Sequence, residues 1–356
     1  MTRIEKVRKV LNEKGLDALV VLDELNQQYL SGFAFTDGLL LITMKRALLI
    51  TDFRYYEMAE KEAYSDFEVV MPENRKNMIT EALADESCKR IGFEGESVSF
   101  ATYNKYCENY PDCEFISIGN AIEELREVKD ESEIALMQKA QDITDFAFSE
   151  MVKHIRRDMT EIDVAAELEY FMRKSGASGF AFDTIAVSAD ASALPHGTPR
   201  NVKLREGFLT MDFGAKYNGY CSDMTRTIVI GKADDEIKKL YNTVLEAQRR
   251  GLAAVKAGAE CRACDLAARE YIDSFKEYNG AFGHSLGHGV GLFIHESPRL
   301  SKLANGRKLR VGEIVTVEPG IYLYGKYGCR IEDMVAVTEN GIYNFTHSPK
   351  ELIEIL

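Results

Sequence analysis

Five residues in the second half of the chain could hold metal: Asp212 in TMDFG, Asp223 in CSDMTRT, His288 in GHGVG, Glu318 in VEPG and Glu332 in RIED. Four carboxylates and one imidazole make a hard, oxygen-rich donor set, and each stands beside glycine or within a strand-like run. A single divalent ion does not need so many anions, whereas two ions sharing bridging carboxylates use all five. Two such ions can activate a water and polarise a carbonyl, which is the chemistry of a metal-dependent hydrolase.

The elements that must carry these residues can be read from the flanking pattern. FLTMDFGAKY and YCSDMTRTIVI are rich in β-formers and are separated by Asn218-Gly219, a strong hairpin signal. A two-residue turn there pairs Tyr217 with Tyr220 and sets Asp212 opposite Thr225. Asp223 is then a diagonal neighbour of Asp212 on the same face, roughly 7–8 Å away and within reach of shared ions. GEIVTVEPG and CRIEDMVAV suggest a second hairpin, with Glu318 ending its first strand and Glu332 inside its second. Arg330, two residues before Glu332, shares its face. Any one of these acids alone reads as a surface residue of an acidic protein. Asp212 and Asp223 are expected inside apolar strands, where an uncompensated charge is costly and a cation is needed.

The ordered set Asp, Asp, His, Glu, Glu, within TMDFGAKYNGYCSDMTRT, HSLGHGVGLFIHESP, VTVEPGIY and RIEDM, resembles the pita-bread metallopeptidases. That family includes Xaa-Pro dipeptidases (prolidases), aminopeptidases P and methionine aminopeptidases. The resemblance runs from about Leu125 to the end. The N-terminal part is similar, more loosely, to the smaller domain of the proline-specific branch. It implies an α/β N-terminal domain over 1–122 and an α+β, creatinase/aminopeptidase-like catalytic domain over 123–356.

Four of the six histidines fall in two short segments bearing glycine or proline: His196 in ALPHGTP, and His284, His288 and His295 in FGHSLGHGVGLFIHESP. The glycines around His288 allow close backbone approach and argue against a helical HxxxH zinc pair. A di-metal amide hydrolase also needs an oxyanion stabiliser, a proton shuttle to the leaving nitrogen and anchors for the substrate ends. The resemblance supplies those roles. It implies that His295 stabilises the oxyanion or holds the substrate carbonyl, and that Glu318 shuttles the proton as well as ligating. His284 and His196 would line the proline and leaving-group side, and Arg330 would orient Glu332 and its neighbouring acids. Arg299, in HESPRL, is a candidate anchor for a free substrate carboxylate, because a guanidinium suits bidentate carboxylate recognition.

The rest of the chain sets bounds on function. At 356 residues with 46% hydrophobic composition it can build two cored domains, and no apolar run approaches the roughly 18–20 residues of a membrane span. MTRIEKVRKVLNEKG reads as an amphipathic helix with no signal-type apolar core, which argues against export. Seven cysteines in irregular contexts fit reduced thiols in the cytoplasm, and Cys261-Arg-Ala-Cys264 lies in a helical run with no partner CxxC. The net charge of −13 argues against nucleic acid and anionic membrane as partners. The first segment alternates strand and helix: a helix from Ile4 to Lys14, ALVVLD, NQQYLSGF, two strands around Met44-Lys45-Arg46, the helix YYEMAEKEA, FEVVMP, a helix with ITEALADES, and one more strand and helix in RIGFEGESVSFATYNKYCENY. No phosphate-binding glycine motif accompanies them. From Glu123 the pattern turns helical, with a capping box from Asp130 to Glu133.

The leading expectation is hydrolysis of the Xaa-Pro bond, of dipeptides in particular, since Arg299 could read their carboxylate. The alternative is an aminopeptidase P acting on longer peptides. A methionine aminopeptidase usually lacks the N-terminal domain, and creatinase works without the metal set. A non-catalytic binding module on the same fold typically loses ligands or gains long insertions. Donor hardness favours Mn²⁺ or Co²⁺ over Zn²⁺. The resemblance further implies a homodimer.

Overall fold

The computed structural model describes residues 1–356, which form two compact units, Met1–Arg126 and Glu127–Leu356. In the first unit the elements run α1 (Arg3–Lys14), β1 (Ala18–Val21), α2 (Glu24–Ser31), β2 (Leu39–Thr43), β3 (Ala47–Ile50), α3 (Tyr56–Glu62), β4 (Glu68–Val70), α4 (Arg75–Asp85), β5 (Arg90–Phe93), α5 (Phe100–Asn109), β6 (Glu114–Ser117) and α6 (Ala121–Glu127). The strands build one mixed sheet in the order β4-β3-β2-β1-β5-β6. β2 runs antiparallel to β1 and β3, and the other pairs are parallel. Every residue of β1, β2 and β3 is buried, as expected of strands covered on both faces. This is the α/β domain that the alternation predicts.

One helix escapes that reading. α2 covers NQQYLS, whose buried residues are mostly polar: Asn26, Gln27 and Ser31 are enclosed along with Tyr29 and Leu30. Asn26 is satisfied there by Glu94 and Glu123, each at 2.8 Å, and by Arg126. Asp23 caps the helix by accepting from the amides of Leu25 and Asn26. The segment has a start signal but no apolar stripe, so periodicity alone does not find it.

The second unit contains α7 (Glu131–His154), α8 (Glu161–Lys174), β7 (Gly179–Phe180), β8 (Ile185–Ser188), β9 (Gly207–Phe213), β10 (Ala215–Tyr217), β11 (Tyr220–Cys221), β12 (Met224–Ile230), α9 (Asp235–Ala254) and α10 (Cys261–Asp273). There follow β13 (Gly287–Gly289), β14 (Glu296–Leu300), β15 (Ile314–Val317), β16 (Gly320–Leu323), β17 (Tyr327–Arg330), β18 (Asp333–Thr338), β19 (Gly341–Asn344) and β20 (Glu354–Ile355). The Asp130–Glu133 capping box opens α7, and Thr160 caps α8.

Two sheets dominate, ordered β20-β12-β9-β8 and β14-β13-β15-β18-β19. Behind the first, Phe148, Met151, Leu168 and Met172 of α7 and α8 pack on Leu209, Met211, Ile228 and Ile230. A second core joins Leu240, Val244, Cys264 and Ala268 of α9 and α10 to Val315, Val317, Val335 and Val337. Cys261 and Cys264 are both buried free thiols in that core. Because strand residues alternate, Leu209, Met211 and Phe213 face the helices while Thr210 and Asp212 face the other way. Arg226, fully buried in β12, joins the two halves: it donates to Asp333 at 2.9 Å and to the carbonyls of Ser348, Pro349 and Glu332.

Candidate metal centre and active site

The first hairpin has the predicted register. Asn218 and Gly219 both take positive φ, 47° and 85°, the pair of left-handed residues that a type I′ turn needs. Tyr217 pairs with Tyr220 and Asp212 with Thr225. Asp223, however, is not inside a strand; with Ser222 it occupies a break between β11 and β12. The second hairpin repeats the arrangement. Gly320 pairs with Arg330 and Val317 with Asp333, one continuous register that places Glu318 opposite Glu332. Glu332 therefore also lies in a break, just before β18, rather than within a strand.

These interruptions have a physical cause. At the breaks the backbone turns to other partners: the Glu332 amide donates to Thr225 O at 3.1 Å, and that of Glu318 to Leu286 O at 2.8 Å. The second hairpin thus gives up local pairing to dock on neighbouring elements; in the first, the Cys221 amide turns to Gly291 O at 2.8 Å while the Ser222 amide stays with Ala215 O. His288 comes from β13, beside β15. A Cβ at Gly287 would fall 1.9 Å from Thr316 O, and one at Gly289 2.2 Å from Ser297 O, so only glycine permits the close approach that seats His288.

The five side chains line one cleft of about 490 Å³, built wholly from the second unit. Ligand atoms of Asp223, His288 and Glu332 all lie within 4.8 Å of one another. His288 Nε2 stands 3.5 Å from Asp223 Oδ2 and 3.4 Å from Glu318 Oε1. Its Nδ1 lies 3.0 Å from the Gly289 carbonyl and so carries the proton, which leaves the Nε2 lone pair aimed at the carboxylates. Burial holds His288 down at about 4, so it is neutral and able to ligate. Burial also raises the carboxyls, with mutual repulsion adding to it: Glu318 is pushed up to about 8, and Asp223 and Glu332 rise well above the ordinary range. Asp212 Oδ1 is buried without a hydrogen-bond partner. An enclosed set of acids, an orphan oxygen and a correctly protonated imidazole fit divalent cations.

Around this cluster Arg330 is buried and binds Asp212 Oδ2 at 2.5 Å. It also donates to the Tyr322 hydroxyl at 2.7 Å, to Thr225 Oγ1 and to Pro195 O. Tyr322, which the sequence reading does not single out, in turn meets His284 Nε2 at 2.9 Å. His284 Nδ1 faces the Ser285 carbonyl at 2.8 Å, so Nδ1 carries the proton and Nε2 accepts from the tyrosine. His284 thus enters the cleft as a neutral ring, held down at about 3 chiefly by burial and then by Arg330, with both nitrogens engaged. His295 is exposed at the cleft, its ring 4.4 Å from that of His288; burial and the nearby Arg299 keep it below its ordinary value. His196 is exposed on the loop of residues 195–199, which also lines the cleft. Arg299 stands directly across from His288 in the β13–β14 ladder and lines the cleft with no ion pair or hydrogen bond.

Each of the three loops that bring these histidines is fastened by an ion pair anchored on a buried carboxylate. Glu161, at the start of α8, accepts from Arg200 N, Nε and NH2 and from Ser188 N and Oγ, all between 2.7 and 3.0 Å, and so pins residues 195–200 around His196. Asp265 and Arg269 of α10 pair at 2.7 Å, while Arg269 holds the carbonyls of Phe282 and His284 and Asp265 takes the Leu286 amide. Lys129 bonds Glu296 at 3.0 Å, next to His295, with both side chains buried.

Known proteins resemble the chain over both of its units. The model of metallopeptidase family M24 matches residues 135–339, and that of the creatinase/prolidase N-terminal domain matches residues 3–128. A Xaa-Pro dipeptidase of Pyrococcus furiosus is 37% identical over 353 residues, 99% of each chain. Among solved structures, a Xaa-Pro dipeptidase from Bacillus anthracis is 43% identical with a TM-score of 0.94 over 99% of each chain. An X-Pro aminopeptidase from Thermotoga maritima is 40% identical with a TM-score of 0.91 over 100% of each. The chain therefore belongs to metallopeptidase family M24, with a creatinase/prolidase-type domain ahead of a pita-bread catalytic domain.

Proposed function

We propose that the chain is a di-metal Xaa-Pro dipeptidase in which Asp212, Asp223, His288, Glu318 and Glu332 hold two divalent ions. Mn²⁺ or Co²⁺ suits these oxygen donors better than Zn²⁺. Bound there, the ions supply Lewis acidity at the scissile carbonyl and an activated water for attack. The side chains divide the remaining work. His295, on the exposed side of His288, donates a hydrogen bond to the carbonyl oxygen as charge develops on it. Glu318 carries the proton to the departing proline nitrogen. Arg330 keeps Asp212 turned towards the cluster and, through Tyr322, fixes His284. With its nitrogens engaged, His284 is assigned to the wall of the proline pocket, opposite His196, rather than to proton transfer.

The observation that carries the dipeptidase reading is Arg299, an unpaired guanidinium facing the cleft directly across the ladder from His288. A dipeptide's carboxylate lies one residue beyond the scissile bond, and a fixed cation there favours it over longer chains. The second reading, an aminopeptidase P, draws support from the likeness to the Thermotoga maritima X-Pro aminopeptidase. Hydrolysis of Ala-Pro, Ala-Pro-Ala and Met-Ala-Ala with Mn²⁺, Co²⁺ or Zn²⁺ separates them. Preference for Ala-Pro supports the dipeptidase, preference for Ala-Pro-Ala the aminopeptidase P, and cleavage of Met-Ala-Ala alone refutes both. The same proposal includes a homodimer in the cytoplasm. Seven free cysteines suit a reducing compartment, and no helix is long and apolar enough to cross a membrane.

A further inference from the structure

Between β7 and β8 the first wall of the cleft is distorted in a way that bears on substrate choice. Phe180 pairs with Ala215 and Ile185 with Asp212, so Ala181, Phe182, Asp183 and Thr184 stand against only Phe213 and Gly214. The surplus residues bulge out of the ladder, a device that re-aims side chains beside active sites. Phe182, Asp183 and Thr184 all line the cleft. Every other carboxylate in its lining is engaged: Asp212 with Arg330, Asp223 and Glu318 beside His288, and Glu332 with Thr225. Asp183 is exposed and has no hydrogen bond or ion pair. It and Arg299 are the two charged groups of the cleft that the protein leaves unpaired, and they have opposite sign.

Building on the dipeptidase reading, we infer that Asp183 is a specificity residue that selects a basic side chain on the residue before proline. Position favours the side chain over the α-ammonium. The α-nitrogen lies two bonds from the scissile carbon, about 2.5 Å away, and so falls among the buried acids of the metal cluster. Asp183 is two residues along the chain from Ile185, which faces Asp212, a displacement of at most about 7 Å. That distance suits the extended stem of a lysine or arginine leaving the scissile centre towards the rim. Phe182 adds an aromatic neighbour for the stem and its cation.

The test compares kcat/KM for Arg-Pro, Ala-Pro and Glu-Pro in the metal-loaded enzyme and in Asp183→Asn. The wild type is expected to prefer Arg-Pro to Glu-Pro, and Asp183→Asn to lower that ratio about 1.5- to fivefold, the range of an exposed ion pair. Asp183→Lys should reverse the preference, and rising salt should flatten the wild-type ratio. An unchanged ratio, or an equal fall on all three dipeptides, overturns the inference while leaving the dipeptidase reading intact. A wild type that does not cleave Ala-Pro refutes the reading and this inference with it.

Discussion

Replacing Glu161 with glutamine tests whether the ionic clamps position the active site or only support the fold. The carboxylate is fully enclosed and meets donors alone, so an amide of the same shape must set its NH2 group against at least one N–H. Severing a buried pair costs about 3–5 kcal/mol. Arg200 is 40% exposed, however, so water screens the loss, and about 1.5–3 kcal/mol is the better figure. For a unit of this size that lowers Tm by about 5–10 °C. Burial alone would raise the Glu161 carboxyl, but the bonds from Arg200 and Ser188 outweigh it and hold it below 4.5. The clamp's contribution is therefore full above pH 4.5 and is lost as pH falls through the lower folded value; Glu161→Gln should lack this acid-sensitive component. None of the five proposed ligands is bonded to the clamp, so metal content should be retained. The loosened His196 loop must order when substrate binds, at about 0.5–1.5 kcal/mol per side chain, which raises KM for Ala-Pro about two- to tenfold with little change in kcat. Thermal scans, metal analysis and steady-state kinetics measure these together. A lower Tm with unaltered KM would show that the clamp supports the fold without positioning His196.

If His295 stabilises the oxyanion, His295→Ala lowers kcat about 10²–10³-fold with metal content unchanged; near-normal kcat returns it to a packing role. Arg299→Ala should raise KM for Ala-Pro about tenfold or more, as expected for losing a charge-assisted pair, and leave Ala-Pro-Ala little affected. Equal effects on both substrates would move the assignment towards aminopeptidase P. Saturating Mn²⁺ should raise Tm, because ions at about a hundredfold over Kd add about 2.7 kcal/mol to the folded state; an unchanged Tm in all five ligand variants and the wild type alike would speak against the cluster as a metal site.

The sequence discloses most where a local signal fixes a long-range relation. Asn218-Gly219 is such a signal: it dictates the turn, the turn dictates the register, and the register puts Asp212 opposite Thr225. The breaks at Asp223 and Glu332 are illegible for the complementary reason. Next to Asp223 the Cys221 amide answers to Gly291 O, and the Glu332 amide answers to Thr225 O, partners that are distant in sequence. α2 stays hidden because polar residues interrupt its buried side, Asn26 among them, whose amide is satisfied by Glu94, Glu123 and Arg126. Tyr322 looks like one tyrosine among those of IYLYGKYG until the fold sets it between Arg330 and His284. Glu161 and Lys129 pair with residues far along the chain, and Asp265–Arg269, legible as an i,i+4 helix pair, shows only in the tertiary structure that it grips Phe282, His284 and Leu286.

The most direct test is to strip the protein with chelator and titrate Mn²⁺ back while following Ala-Pro hydrolysis and bound metal. Two ions held by Asp212, Asp223, His288, Glu318 and Glu332 predict no hydrolysis in the stripped protein and full recovery as bound metal reaches two ions per chain. Undiminished hydrolysis after exhaustive metal removal would contradict the account.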